Sequence, residues 1–305
     1  MKRIILALAA TTMLASSAMA GKIGVSMAKF DDNFLTVLRN GMVAYAKEKG
    51  QDLQIEDAND DVGKQLSQIQ NFIAAKVDAI IVNPVDTSAT PKMTALAVAA
   101  KIPLVYVNRL PSDKELPANV SFVGSDEADS GTVETKEVCK LLGGKGDILV
   151  MMGQLSNQAA VQRTKDIHDV IATKECAGMK ILQEQTANWS RTEAADLMTN
   201  WITAGMKPAA VIANNDEMAI GALKALKAAK MDSVIVSGID GTADALAAMK
   251  AGGLKVTVFQ NAAAQGKGAL DTALKLAKGE KVDSKVWVPF ELITPANMDK
   301  YVAKN

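Results

Sequence analysis

Nine residues with forked polar side chains stand at or beside the predicted ends of buried strands: Asp31, Asp32, Asn83, Asn108, Arg109, Arg163, Asn215, Asp240 and Gln260. A carboxylate accepts through two oxygens, a guanidinium donates several bonds in one plane, and an amide does both. Such groups answer adjacent hydroxyls, each of which donates and accepts, so the set points to recognition of a polyol. Phe34 and Trp189 are placed to cover the apolar C–H faces of a ring. Each of these positions also has a purely structural reading. Asp31, Asp32 and Asn33 suit the cap of a helix beginning at Phe34, and Asn215-Asp216 suits the cap of a helix from Glu217. Asp240-Gly241 is a common turn dipeptide, Trp189 fits a hydrophobic staple, and Phe34 fits a core. Their shared placement at equivalent strand ends favours a site.

Reactive chemistry is poorly supplied. His168 is the only histidine and falls mid-helix, where a surface position is expected. Neither Cys139 nor Cys176 lies in a strand-end turn or near a base, so nucleophilic catalysis has no candidate. Gly143-Gly144-Lys145-Gly146 precedes a strand and has no Ser or Thr after its Lys, so it reads as a helix cap and turn, not a phosphate loop. No His or Cys pair has metal-ligand spacing. The expectation is a protein without catalysis, metal or other cofactor. In an oxidising compartment Cys139 and Cys176 either pair, closing a loop worth roughly 3–4 kcal/mol, or stay as two buried thiols. Spacing alone does not choose between these.

The elements that must hold the polar residues follow from hydrophobic period. Lys22 to Met27, Asp52 to Glu56, Ala79 to Val82 and Leu104 to Val107 read as strands, with helices over 34–49, 64–75 and 91–100 between them. The same alternation recurs, with strands at 147–151, 179–184, 209–213 and 233–236 and helices at 158–171, 191–204 and 217–229. Ser190 to Glu193 is a capping box. The halves also superpose as text. Gln70-Asn71-Phe72-Ile73 before Ala-Ile-Ile-Val matches Thr199-Asn200-Trp201-Ile202 before Ala-Val-Ile-Ala. Strand–helix alternation implies parallel doubly wound sheets, and the duplication predicts an α/β chain of two similar Rossmann-like lobes. Ligands of such sheets bind beyond the carboxyl ends of the strands, which here face one another across a cleft.

The first residues speak to compartment. Lys2-Arg3, an apolar run from Ile4 to Leu14, and Ala18-Met19-Ala20 form the pattern of a secretory signal ending before Gly21. The run is too short to span a bilayer, which takes about 20 residues. Removing residues 1–20 leaves 32 basic and 34 acidic side chains, a balance that gives no electrostatic case for nucleic acid or an anionic membrane as partner.

Several motifs in order resemble one family. Ile212-Ala-Asn-Asn-Asp-Glu-Met-Ala-Ile-Gly221, Val236-Ser-Gly-Ile-Asp-Gly-Thr242, Ile81-Val-Asn-Pro-Val-Asp86 and Val105-Tyr-Val-Asn-Arg109 are similar to the lobe signatures of periplasmic ribose-type (type I) sugar-binding proteins. Phe30-Asp-Asp-Asn-Phe-Leu-Thr-Val-Leu-Arg39 and Ala187-Asn-Trp-Ser-Arg191 resemble the inositol and rhizopine branch. The resemblance implies ligand contacts at Asp32, Phe34, Asn83, Asn108, Arg109, Arg163, Trp189, Asn215, Asp240 and Gln260, with Phe30 and Asp31 nearby. Asp32, Leu35 and Asn108 depart from the ribose pattern, which directs the expectation to myo-inositol or an amino-inositol in preference to an aldose such as ribose or allose. It also implies three chain crossings, near Ser125-Asp126, Gln260-Asn261 and Val288-Pro289. The lobes would then be 21–125 with 262–288, and 126–261 with 289–305. The implied protein is a monomeric periplasmic component of an ABC importer, read in its closed form by a membrane permease, alone or together with a chemoreceptor. A sugar-responsive repressor would share the core but needs a DNA-binding helix pair before it, where this chain has the signal pattern.

Overall fold

The computed structural model describes residues 21–302 and 304; the predicted signal segment lies outside the described residues. One sheet holds β1 (Lys22–Met27), β2 (Asp52–Asp57), β3 (Ala79–Val82), β4 (Leu104–Val107) and β5 (Val120–Gly124). A second holds β6 (Lys145–Met152), β7 (Gly178–Thr186), β8 (Ala210–Ala213), β9 (Ile235–Ser237) and β10 (Leu254–Gln260). Their orders, β5-β4-β3-β1-β2 and β10-β9-β8-β6-β7, are the same topology, and every pairing among these ten strands is parallel. The duplication read from the text is therefore a duplication of fold. Two late strands close the outer edges. β11 (Lys285–Trp287) joins β5 in parallel, whereas β12 (Phe290–Ile293) runs antiparallel to β10, an addition that the alternating pattern did not predict.

Because successive side chains of a strand point to opposite faces, each buried strand feeds two cores. Ala79 and Ile81 join one cluster with Ile23, Val25 and Met27, under α1 (Asn33–Lys49) and α9 (Ala262–Ala277). Ile80 and Val82 join the other, under α2 (Val62–Ala74) and α3 (Thr90–Ala100). The second sheet repeats this arrangement. Leu149 and Met151 face α6 (Arg191–Thr203), α7 (Asp216–Ala228) and α8 (Ala243–Lys250), while Ile148 and Val150 face α4 (Glu127–Leu142) and α5 (Gln158–Ile171). The helix after β5 packs on the second sheet and the helix after β10 packs on the first, so each lobe is completed by a helix that the other lobe's last strand delivers.

Among the described residues, eight of nine α-helices are preceded by an Asp, Asn, Ser or Thr whose side chain accepts from the first-turn backbone; α3 has Pro91 in its first turn instead. These caps sit at the carboxyl ends of strands, where the cleft opens.

The α4–α5 pair depends on close backbone approach. A Cβ on Gly131 would lie 2.6 Å from the Arg163 carbonyl oxygen, and one on Gly266 would lie 2.1 Å from that of Leu38 in the equivalent α9–α1 pair. A Gly131→Ala variant is expected to push α4 off α5 and to cost about 1–3 kcal/mol of stability, the usual range for overpacking. Urea unfolding reads this directly, and an unchanged midpoint would show that the helices tolerate the wider spacing. Cys139 on α4 is joined by a disulfide to Cys176, in the turn before β7, which selects the paired reading of the two cysteines.

Candidate functional site

Between the two sheets' carboxyl ends lies a cavity whose space not filled by atoms, counting the part continuous with solvent, is about 380 Å³. Asp32, Phe34, Leu35, Asn108 and Arg109 line it from the first lobe. Glu127, Asn157, Ala159, Arg163, Trp189, Asn215, Asp240 and Gln260 line it from the second. Nine of the ten sequence-predicted contact positions are thus brought together. The lobes also meet at the rim: Asn33 Nδ2 donates to Glu217 Oε1 at 2.8 Å, and Thr87 donates through N and Oγ1 to the Ser156 carbonyl at 3.0 and 3.1 Å. The cleft is closed in this structure.

Asn83 is the exception. It is fully buried, and its amide is used to hold the strand ends together. Oδ1 accepts from Ala28 N at 3.3 Å, while Nδ2 donates to the Val107 carbonyl at 3.2 Å and to Asn108 Oδ1 at 3.3 Å. It supports Asn108 from behind and does not line the cavity. Phe30 and Asp31 do not line it either. Phe30 lies half-buried beneath the Arg39 guanidinium, 4.2 Å from its ring centroid, and Asp31 is exposed. His168 is on the exposed side of α5 beside Glu184, as expected of a surface histidine.

The capping and binding readings of the polar residues prove compatible. Asp32 caps α1 by accepting from Leu35 N at 2.8 Å through Oδ1, which leaves its second oxygen for the cavity. Asn215 caps α7 by accepting from Met218 N through Oδ1, which leaves its Nδ2. Burial raises the pKa of Asp32, opposed by the Leu35 N–H and the Arg109 charge. Burial lowers that of Arg109, opposed by Asp32 and Asp60. Arg109 Nη1 donates to the Pro84 and Val85 carbonyls, and its remaining donors have no hydrogen-bond partner among the described residues.

Arg163 is the most constrained group. Glu127 grips it bidentately, accepting from Nε at 2.7 Å and from Nη2 at 2.9 Å. Nη1 donates to the Asn214 carbonyl at 2.6 Å and Nη2 to Gln260 Oε1 at 3.3 Å, so one of its five N–H donors is left over. Trp189 lies beneath it, 5.7 Å from ring centroid to guanidinium. Burial opposes the Arg163 charge, yet Glu127 and Asp240 raise its pKa above the ordinary value. Glu127 itself escaped the sequence reading. So did Asn157 and Ala159 as cavity residues.

Strain gathers at the same place. Asn108, Trp189 and Asp240 have φ of 67°, 64° and 131°, in the region that side-chain-bearing residues avoid. Such positions cost of order 1–3 kcal/mol each and persist where surrounding structure fixes them. Gly153 permits the Trp189 ring to approach, since a Cβ there would sit 2.1 Å from it. Two donors at the cavity wall, Trp189 Nε1 and Gln260 Nε2, are buried without a partner among the described residues.

Residues 23–281 match the family described as periplasmic binding protein domain. This chain belongs to that family. A protein of Rhizobium meliloti provisionally named as rhizopine-binding is 62% identical over 309 residues, the whole of both chains. A solute binding protein of an ABC transporter from Bacillus halodurans, solved with bound myo-inositol, superposes with a TM-score of 0.90 at 40% identity, covering 95% of this chain and 100% of that one. The Caulobacter myo-inositol binding protein, also solved with myo-inositol, gives 0.87 at 28% identity over 96% of this chain and 100% of that one. The family and these neighbours are binding proteins, and the neighbours share its two α/β lobes.

Proposed function

We propose that this chain is the periplasmic solute-binding component of an ABC importer, and that it encloses a cyclic polyol, an inositol or amino-inositol, without transforming it. The observation that carries this reading is one cavity lined from both lobes by forked polar side chains and flanked by the rings of Phe34 and Trp189. Apolar ring faces would lie against the aromatics while equatorial hydroxyls reach Asp32, Asn108, Arg109, Arg163, Asn215, Asp240 and Gln260. The inositol-bound neighbours and the rhizopine-named relative support the choice of cyclitol.

Closure would turn on three crossings, near Ser125-Asp126, Gln260-Asn261 and Val288-Pro289. These separate 21–125 with 262–288 from 126–261 with 289–305. Ligand would favour the closed form because only there do groups from both lobes reach it together. Export through a signal cleaved before Gly21, action as a monomer, and reading of the closed surface by a membrane permease, alone or together with a chemoreceptor, complete the proposal.

Titration calorimetry on residues 21–305, refolded to remove carried-over ligand, tests it with myo-inositol, scyllo-inositol, an amino-inositol, ribose, allose, galactose and glucose. Tight binding confined to cyclitols is expected; tight binding of an aldose instead would overturn the ligand class. Asp32→Asn keeps an oxygen to cap α1 but removes a charged acceptor. It is expected to weaken binding by about 1.5–3 kcal/mol, on the order of 10–100-fold in Kd, with little change in unfolding midpoint.

A further inference from the structure

The cavity wall carries more acid than base. Asp32, Glu127 and Asp240 face Arg109 and Arg163, so with all five ionised the wall has a net charge of −1. The carboxylates are not equally provided for. Glu127 is held by two Arg163 bonds and by Ser130 Oγ at 2.9 Å, and Asp32 by the Leu35 N–H. Asp216, behind the wall, takes bonds from Thr257 Oγ1, Thr242 N and Thr242 Oγ1. The Asp240 carboxyl, though only 5% exposed, accepts no hydrogen bond from any described residue. The one cation facing it among the described residues, Arg163, is already engaged by Glu127. Three further acids face it: Asp216 at the start of α7, Asp32 ahead of α1, and Glu127 at the start of α4. The α1, α5 and α7 N-termini are occupied by their own caps, Asp32, Asn157 and Asn215, and no helix end among the described residues donates to the Asp240 carboxyl.

A buried carboxylate in that setting needs either a proton or a cation. Resting on the cyclitol reading above, we propose that Asp240 exchanges a proton for a ligand's ammonium group. When the lobes close on a neutral polyol, Asp240 takes up one proton from solvent and meets the ligand as a neutral acid, donating to a hydroxyl. When the ligand brings a protonated amine, Asp240 stays ionised and no proton is taken up. Burial, with Asp216, Asp32 and Glu127 adding to it against the opposing Arg163, raises Asp240 well above the ordinary carboxylate value, in the direction this requires.

The sign of the pH dependence follows. Binding a neutral ligand consumes a proton, so its affinity falls as pH rises. Binding an ammonium ligand consumes none while the amine remains protonated. The ratio of the two affinities therefore moves in favour of the amine by about tenfold per pH unit.

The test is calorimetry of myo-inositol and of an amino-inositol at one pH in phosphate and in Tris, whose different ionisation enthalpies reveal the protons exchanged, repeated one pH unit away. The expected result is one more proton taken up per myo-inositol than per amino-inositol, with the tenfold shift in affinity ratio. Equal proton counts for two ligands that both bind would overturn the exchange and leave the cyclitol reading standing. Binding of neither would overturn both. Asp240→Asn keeps the shape but cannot ionise, so the difference in proton count should vanish, along with most of the preference for the amine. A persisting difference would move the proton to another group and overturn the assignment to Asp240. Should that variant fail to fold, the two-buffer comparison on the wild-type chain decides alone.

Discussion

An Arg163→Ala variant is expected to show no binding at ligand concentrations that saturate the wild type, and to unfold about 3–5 kcal/mol more easily. Arg163 and Glu127 are 4% and 3% exposed, so neither can turn to water when its partner is removed. Truncating the guanidinium strips Glu127 of both charged donors and leaves the Asn214 carbonyl and Gln260 Oε1 without theirs. It also takes away the counter-charge that Asp240 and Glu134 share. Burial raises Glu134 to about 8 even with Arg163 nearby, so among the described residues Glu127, Glu134 and Asp240 all draw on the Arg163 charge. Chemical denaturation and calorimetry measure the two losses separately. A double variant, Glu127→Gln with Arg163→Met, removes both charges together and is expected to recover most of the stability while still failing to bind. If the single variant were as stable as the wild type, the pair would not be the electrostatic centre that its geometry describes.

How much of this was legible in the sequence can be judged from particular segments. Strands such as Ala79–Val82 and Leu104–Val107 were read to the residue because a strand buried on both faces is a short unbroken apolar run. Of helix α4 only the end was read, at the Gly143 cap; its span was not assigned. Its buried face is Glu127, Ser130, Gly131, Glu134, Thr135, Val138 and Cys139, a helical stripe made mostly of polar and small residues, which a search for apolar period cannot see. With it went Glu127, although Asp126 in a cap position and the 3–4 spacing of the small residues were visible signals. The antiparallel β12 was hidden for a different reason. Its side chains are mostly half-buried or exposed, and its direction is set by where the chain returns after β11.

The cavity-lining positions were read better than the elements around them because capping and recognition draw on the same residue types. Asp32 and Asn215 are caps, and caps of helices that follow strands stand at the cleft. The alternatives weighed for them were therefore not exclusive. Asn83 shows the limit of that logic. It occupies an equivalent strand end, but Asn108 lies one strand further out and needs an amide behind it, so Asn83 is spent on backbone ties. Only three-dimensional placement separates the residue that lines a cavity from the one that holds its neighbour.

A Cys139→Ala, Cys176→Ala double variant is expected to lose roughly 3–4 kcal/mol of stability while keeping ligand affinity within about twofold. The bridge closes a sequence separation of 37, so the unfolded chain gains the freedom of a long loop when it is removed. Around it the folded contacts are already tight. A Cβ on Gly144 would lie 2.3 Å from the Glu175 carbonyl oxygen, and Gly178 N donates to the Gly144 carbonyl at 3.1 Å. Backbone packing and this hydrogen bond hold the corner alongside the disulfide, so in the chain-entropy account the bond's stabilising effect falls mainly on the unfolded state. The ligand should not sense the change, because Glu127 lies twelve residues along α4 from Cys139, about 18 Å of helix away. Denaturation with and without reductant, followed by titration of the reduced protein below its unfolding midpoint, separates the two readouts. Loss of affinity at full stability would mean instead that the disulfide sets the position of α4, and through Glu127 the position of Arg163.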